Sequence, residues 1–420
     1  MSFINVDSDT DRLVAALIHR PGLESMEYSV TNFSQVFYLR ARLGKQYFDY
    51  DRALDEHDRF TNILEDEGVE LFEVEDLLAE ALDASPLARE QFNTRFLESC
   101  GAHGRQLLEA IKQLLESQPD GKSLALLAIR GIRCKDVGLP NPTYEPLSHT
   151  LGTEFTETTL LAGPLNTMFF VRDPAVIVGS GAVLSSMYWP DRAREALFYE
   201  TIFKFHPRFA GTSIWYPANS SYHLEGGNIL NLGNKSIAIG ISERTDPATV
   251  DNLARELFFN TEDSPVQQIL AIQLPENIDR RIHLDAFMTK VDECSILVDP
   301  LLRDQFVGFR ITPGARQNPL LKKTENLTQA LHAALGTKPR LIPSGRRSSA
   351  ALGREMANGA ASVLSLRPGK VCACNGNPLI CDELDRAGVD VIAVDVDELV
   401  YGYGGPCSLC LPIKRTLSSS

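Results

Sequence analysis

The chain has 420 residues, 44% hydrophobic and 23% charged, with a net charge of −14, which gives length for a sizeable core and an ordinary soluble composition. Its acidic balance disfavours nonspecific binding to nucleic acid or anionic membrane, and no charge-free apolar run approaches a membrane span. The polar, acidic segment Met1 to Asp11 lacks the pattern of an export signal, so the eight cysteines are expected to be free thiols in a reducing cytoplasm.

Leu13 to His19 is a short apolar run stopped by Arg20-Pro21-Gly22, which predicts a buried strand ending in a turn. Leu54, Phe60, Ile63 and Leu64 recur at helical spacing among charged residues and predict a helix over 51–67. Val69 to Phe72 reads as a strand and Val74 to Leu82 as a helix. A second helical tract covers 85–117, marked by Leu87, Phe92, Phe96, Leu107, Leu108, Ile111 and Leu115 and interrupted at Gly101 and Gly104. Pro140, Pro142 and Pro146 then break the pattern. Residues 80–145 are therefore expected to be a helical insertion into a domain built from 1–79 and 146–420. From Leu160 onward short apolar strands (175–178, 237–241, 268–273, 294–298, 389–394) alternate with helices (192–203, 247–258, 328–335). That alternation predicts an α/β fold.

Four segments carry chemistry: Phe170-Val171-Arg172-Asp173, Glu225-Gly226-Gly227-Asn228, His283-Leu284-Asp285, and Gly404-Gly405-Pro406-Cys407-Ser408-Leu409-Cys410. A guanidinium is flat, cationic and resistant to nucleophiles. Attack on its carbon needs carboxylates that grip its nitrogens in plane, a nucleophile above the plane, and an acid for the departing nitrogen. Taken singly, each segment has a structural explanation: a satisfied histidine, a surface Arg-Asp pair, a glycine turn.

Taken in order, the segments resemble arginine deiminase, with its Phe-x-Arg-Asp, Glu-Gly-Gly-Asp, His-Leu-Asp and Gly-Gly-x-x-Cys turns. Met187 to Arg192, Ile239 to Arg244, His19 to Gly22 and Arg386 to Ile392 match as well. The likeness covers nearly the whole chain. It implies a five-bladed, pseudo-symmetric α/β propeller and hydrolysis of a guanidino C–N bond to a ureido product and ammonia, through a covalent cysteine thiouronium. By resemblance Asp173 and Asp285 bind the guanidinium, and Glu225 and His283 transfer protons. Phe170 walls the pocket, while Arg192 and Arg244 meet the substrate's carboxylate end. No cofactor or metal is implied. The expected partner is a small guanidino substrate, and the resemblance implies a homo-oligomer.

The chain departs from the family at several places. Counted without gaps between Gly402 and Pro412, the family's cysteine position holds Ser408, with Cys407 one place early. Either residue is a candidate nucleophile, and serine is the weaker one. Tyr403 stands where the family has an arginine and cannot make its bidentate pair. The family's asparagine before Phe-x-Arg-Asp falls on Thr167, beside Asn166; its early Phe-Asp-Asp segment is replaced near Val36 to Leu39; and Asn228 replaces an aspartate. These losses concentrate on the amino-acid end of the ligand. Three other readings stay open: an amidinotransferase using the same intermediate, an inactive guanidino-binding relative, and a zinc site at Cys372, Cys374, Cys381, Cys407 and Cys410.

Overall fold

The computed structural model describes residues 3–26, 48–102, 104–138, 157–275, 282–343, 355, 359–400 and 404–417. The chain opens with β1 (Arg12–Ile18), α1 (Tyr50–Asp66) and β2 (Glu70–Glu73). Four helices follow: α2 (Val74–Ala84), α3 (Pro86–Ser99), α4 (Arg105–Glu116) and α5 (Gly121–Arg130). Ser85 caps α3 by accepting from the Ala88 N–H, with Pro86 at the first helical position, so the predicted tract begins as its sequence dictates. The tract splits into two helices at Gly101 and Gly104, both at positive φ. The short strands β3 (Ile132–Arg133) and β4 (Leu160–Ala162) pair antiparallel.

The rest of the chain repeats one pattern. In order come β5 (Ala175–Val178), β6 (Gly181–Leu184), α6 (Glu195–Phe205) and β7 (Ser213–Tyr216). Next are β8 (Ile229–Gly233), β9 (Ser236–Ile241), α7 (Pro247–Arg255) and β10 (Gln268–Gln273). A longer unit has β11 (Met288–Lys290), β12 (Ser295–Val298), α8 (Pro300–Asp304), β13 (Val307–Thr312), β14 (Leu320–Thr324), α9 (Leu327–Leu335) and β15 (Arg340–Pro343). Then come β16 (Leu364–Arg367), β17 (Lys370–Cys374), α10 (Pro378–Arg386) and β18 (Asp390–Val394), and β19 (Leu411–Thr416) ends the chain.

Five units share one topology: an antiparallel strand pair, a helix, then a third strand parallel to the second. The first unit is closed by the chain's end, since β19 pairs antiparallel with β1, which pairs parallel with β2. The hairpin β13–β14 extends the sheet of β8, β9 and β10 rather than its own unit. Helices cover the strands, and apolar residues between them form the cores. The helical tract shares its core with the β5–β7 unit, where Phe92 packs edge-on against Phe198 at 5.7 Å.

A turn precedes the first strand of every unit, at 170–173, 225–228, 283–286, 359–362 and 406–409. Neighbouring turns touch. The Arg172 N–H donates to the Ser408 carbonyl at 3.3 Å and the Gly226 N–H to the Asp173 carbonyl at 2.8 Å. The Leu284 N–H donates to Asn228 Oδ1 at 2.9 Å, and Thr289 Oγ1 to the Ala361 carbonyl at 2.7 Å. A methyl on Gly405 would overlap the Ser362 carbonyl, and one on Gly359 the Gly404 carbonyl, so the last two turns are in direct contact. Repetition of one unit thus brings segments far apart in sequence to one place.

Candidate active site

Asp173, Glu225, His283 and Asp285 are all buried and face one another. Glu225 Oε2 lies 2.7 Å from His283 Nε2, and Asp173 Oδ1 lies 3.5 Å from His283 Nδ1. The first contact is a hydrogen bond and the second a looser charge pair. Glu225 Oε1 accepts from the Tyr188 N–H at 3.0 Å, and Arg244 Nη1 approaches Oε1 and Oε2 at 3.4 and 3.3 Å. Asp285 Oδ2 is buried without a hydrogen-bond partner among the described residues.

These distances set the charges. Burial alone would push Glu225 up, but Arg244, His283 and Arg192 overcome it and hold the carboxyl well below the usual range. Burial opposes a charge on His283, yet Asp173, the Glu225 hydrogen bond and Asp285 together raise its pKa. Both partners move in the direction of a charged pair. Burial and the neighbouring Asp173 push Asp285 up to about 6, against the pull of His283 and Arg172. The site is an imidazolium among carboxylates, one of them with an unused oxygen that a planar cation would satisfy.

Glycines make this approach possible. A Cβ on Gly227 would stand 2.6 Å from His283 Nδ1, so the ring lies flat against the turn. A methyl on Gly226 would collide with the Arg172 carbonyl. Asn228 ties three segments together: its amide donates to Thr245 Oγ1 at 2.9 Å and Ser242 Oγ at 3.3 Å, while Oδ1 accepts from the Leu284 N–H. The departure from aspartate therefore falls on a group that holds the His283–Asp285 turn in place.

The flanking arginines are buried too. Arg192 Nη1 donates to Asp173 Oδ2 at 2.8 Å, and its Nε and Nη2 hold Glu195 at 2.9 and 2.7 Å. The Arg244 guanidinium lies over the rings of Tyr188 and Trp189, 5.0 and 5.7 Å from their centroids. Phe170 and Asn166 are buried, with the Phe170 carbonyl accepting from Arg192 Nη2 at 3.4 Å. Tyr403 lies outside the described residues, as do Val36 to Leu39. Sequence reasoning passed over Glu195, although its spacing of three from Arg192 hinted at the pair. It also passed over Tyr188, whose backbone N–H holds Glu225 and whose ring lies under Arg244.

The turn at 406–409 separates its two nucleophile candidates. Ser408 Oγ sits against Gly404, at φ 69°, and is 3.5 Å from the Gly405 N–H. Cys407 is buried among Arg172, Asp285, Asp9 and Cys410, and burial pushes its thiol up to about 12 despite Arg172. It is held as a thiol at neutral pH. Cys372, Cys374 and Cys410 are buried in one apolar core, and Cys374 Sγ donates to Asp397 Oδ1 at 3.1 Å. Among the described residues the one set with converging ligand atoms is His19, Glu73 and Glu75, which contains no cysteine. His19 there has Glu75 at 2.8 Å on Nδ1 and Glu24 at 3.3 Å on Nε2. Burial is outweighed, and the ring's pKa rises to about 10, so a proton already occupies that cluster.

Among the described residues, no helix is long and apolar enough to cross a membrane. The arginine deiminase family profile matches residues 43–415. Arginine deiminase of Treponema denticola is 30% identical over 419 residues, covering 99% of each chain. That of Mycoplasma capricolum is 31% identical over 415 residues, covering 98% of this chain and 97% of its own. Among solved structures, an amidinotransferase from Microseira wollei superposes with a TM-score of 0.55 at 15% identity, covering 99% of both chains. The N-terminal domain of ArgZ does so with a TM-score of 0.52 at 13% identity, covering 96% of this chain and 98% of that one. At these identities the two structures speak for the fold alone.

Proposed function

The chain belongs to the arginine deiminase family, and on that premise we propose that the site hydrolyses a guanidino C–N bond, converting arginine or an arginine-like compound to the ureido product and ammonia. The reading is carried by the Asp285 oxygen that has no partner among the described residues, beside the charged Glu225–His283 pair. Asp285 and Asp173 grip the guanidinium, His283 protonates the departing nitrogen, and Glu225 keeps the imidazole charged and oriented. The five repeated units are read as blades around a pseudo-fivefold axis with the turns at its centre, and 80–145 as a helical insertion.

The covalent thiouronium route is proposed for a thiol at position 408. With Ser408 there, both imidazole nitrogens already face carboxylates, so the hydroxyl has no neutral base to take its proton, and turnover is limited at the first attack. The same observation favours a second reading, a relative that binds guanidino compounds without turning them over. An amidinotransferase would pass the intermediate to an amine instead of water.

Ureido product and ammonia measured from arginine with the natural chain and Ser408→Cys decide among these. The expected result is ammonia release without added amine, faster by at least ~10²-fold with cysteine. A natural chain that binds arginine but is inert, with Ser408→Cys active, establishes the binding relative. Product that forms only with an added amine establishes transfer. Failure of both chains to bind any guanidino compound overturns the reading of the site.

A further inference from the structure

Asp9 lies in none of the four segments that carry the chemistry, yet its side chain reaches the turns that do. The segment before β1 is threaded between units. Val6 exchanges two backbone hydrogen bonds with Gly179, just after β5, at 2.9 and 2.8 Å, and the Asp9 N–H donates to the Asn231 carbonyl in β8 at 2.9 Å. Held there, the buried Asp9 carboxylate accepts from the Asn231 N–H at 3.1 Å, from its side-chain amide at 3.3 Å and from Arg172 Nη2 at 3.4 Å. Arg172 is the junction of three turns. Its side chain also donates to the Ile229 carbonyl, directly after the 225–228 turn, at 3.0 Å. Its N–H donates to the Ser408 carbonyl at 3.3 Å, and its own carbonyl abuts Gly226. Among the described residues, Asp9 is the one carboxylate within ion-pair distance of that buried guanidinium.

We infer that Asp9 is a positioning residue for the reaction: by holding Arg172 it fixes the turn that presents position 408 and balances a buried positive charge behind Asp285. The inference rests on the proposed hydrolysis, with Asp285 as a guanidinium ligand. Two effects of Asp9 are separable. The first is mechanical. A buried guanidinium that loses its anion is strongly destabilised where it stands, and any movement of Arg172 pulls on the tie between its N–H and the Ser408 carbonyl. The second is electrostatic. Burial and Asp173 push Asp285 up to about 6, while His283 and Arg172 pull it back. The negative charge of Asp9 offsets part of the pull of Arg172. A side chain that only packed at this place would have neither effect.

The test compares the natural chain with Asp9→Asn, which keeps the shape and removes the charge, and with Asp9→Glu, which restores the charge on a longer stem. Calorimetric binding of L-arginine to the natural chain should have an acid limb where Asp285 takes up its proton, at about 6. In Asp9→Asn the uncompensated Arg172 favours the Asp285 carboxylate, so the limb should move to lower pH by ~0.5 unit or more. In the Ser408→Cys background, Asp9→Asn should lower kcat by ~10-fold, with KM for arginine within about twofold at alkaline pH, where Asp285 is ionised in both chains. Asp9→Glu should recover the limb and most of kcat. If Asp9→Asn does not fold, the double variant Asp9→Asn/Arg172→Gln removes the pair without stranding a charge, and its limb should move up because the pull of Arg172 on Asp285 is gone. A limb that fails to move in the stated direction in the folded variant, or an unchanged kcat, makes Asp9 merely structural and overturns the inference while leaving arginine hydrolysis standing. Failure of the natural chain to bind arginine at any pH overturns the site reading itself.

Discussion

His283 stands between Glu225, 2.7 Å from its Nε2, and Asp173, 3.5 Å from its Nδ1. A ring with carboxylates on both nitrogens is an acid at rest, ready to give a proton to a departing amine. Glu225→Gln removes the closer, hydrogen-bonded partner. The His283 pKa, followed by NMR titration, should fall, and turnover in the Ser408→Cys background should drop by about 10²-fold. An unmoved titration would place the ring's charge elsewhere.

Gly227→Ala tests the closeness of that ring to its turn. The new methyl would stand 2.6 Å from His283 Nδ1, so the imidazole must tilt away from Asp173 and Glu225. We expect turnover of Ser408→Cys to fall at least ~10-fold through kcat, because misplacement by about 1 Å is that costly in catalysis. Unchanged kcat would mean the ring has room the geometry does not give it.

Asn228→Ala removes an acceptor from the buried Leu284 N–H and two donors from Ser242 and Thr245. The expected loss is about 2–4 kcal/mol in a urea midpoint series, most of it the unsatisfied backbone group. Asn228→Asp keeps the acceptor for the Leu284 N–H, and the Thr245 hydroxyl can turn to donate while that of Ser242 stays on the Ile282 carbonyl at 2.9 Å, so it should cost less than the alanine.

Cys407 should be unreactive. Its thiol is buried and pushed up to about 12. Iodoacetamide at neutral pH should leave it unmodified in the folded chain and modify it once urea unfolds the protein. Rapid alkylation of the folded protein at Cys407, mapped by mass spectrometry, would reverse the assignment of position 408.

The His19 cluster makes stability depend on pH. The folded pKa, raised to about 10 against burial by Glu24 and Glu75, lies above the 6.5 of the free side chain. Its contribution is therefore complete below pH 6.5 and is lost as pH rises towards 10. Urea midpoints should fall over that interval by a few kcal/mol equivalent in the natural chain. The fall should flatten in His19→Gln. Parallel curves for the two would remove His19 from the cause.

Much of this molecule was legible in its residues. The strand at Leu13, the helix beginning near Asp51 and the split at Gly101 and Gly104 follow from local rules of period, capping and glycine freedom, and they stand where those rules put them. α6 begins after a 3₁₀ turn at Pro190–Arg192 and α7 runs into a π turn at Glu256–Asn260, so both boundaries differ from those the helical pattern predicts. The hairpin β13–β14 joins a neighbouring unit's sheet, a pairing between strands that no local window contains.

The sequence by itself determined which groups were available: two aspartates, a glutamate, a histidine, and a serine where a thiol was expected. Composition and motif order carry that information because chemistry resides in side-chain type. Only the tertiary structure decided that Arg192 pairs with Asp173, that Cys407 is buried near Arg172 and Asp9, and that Asp285 keeps an oxygen without a partner among the described residues. Those outcomes depend on approaches of 2.7 to 3.5 Å between segments far apart in sequence, and on the burial that makes each approach energetically decisive.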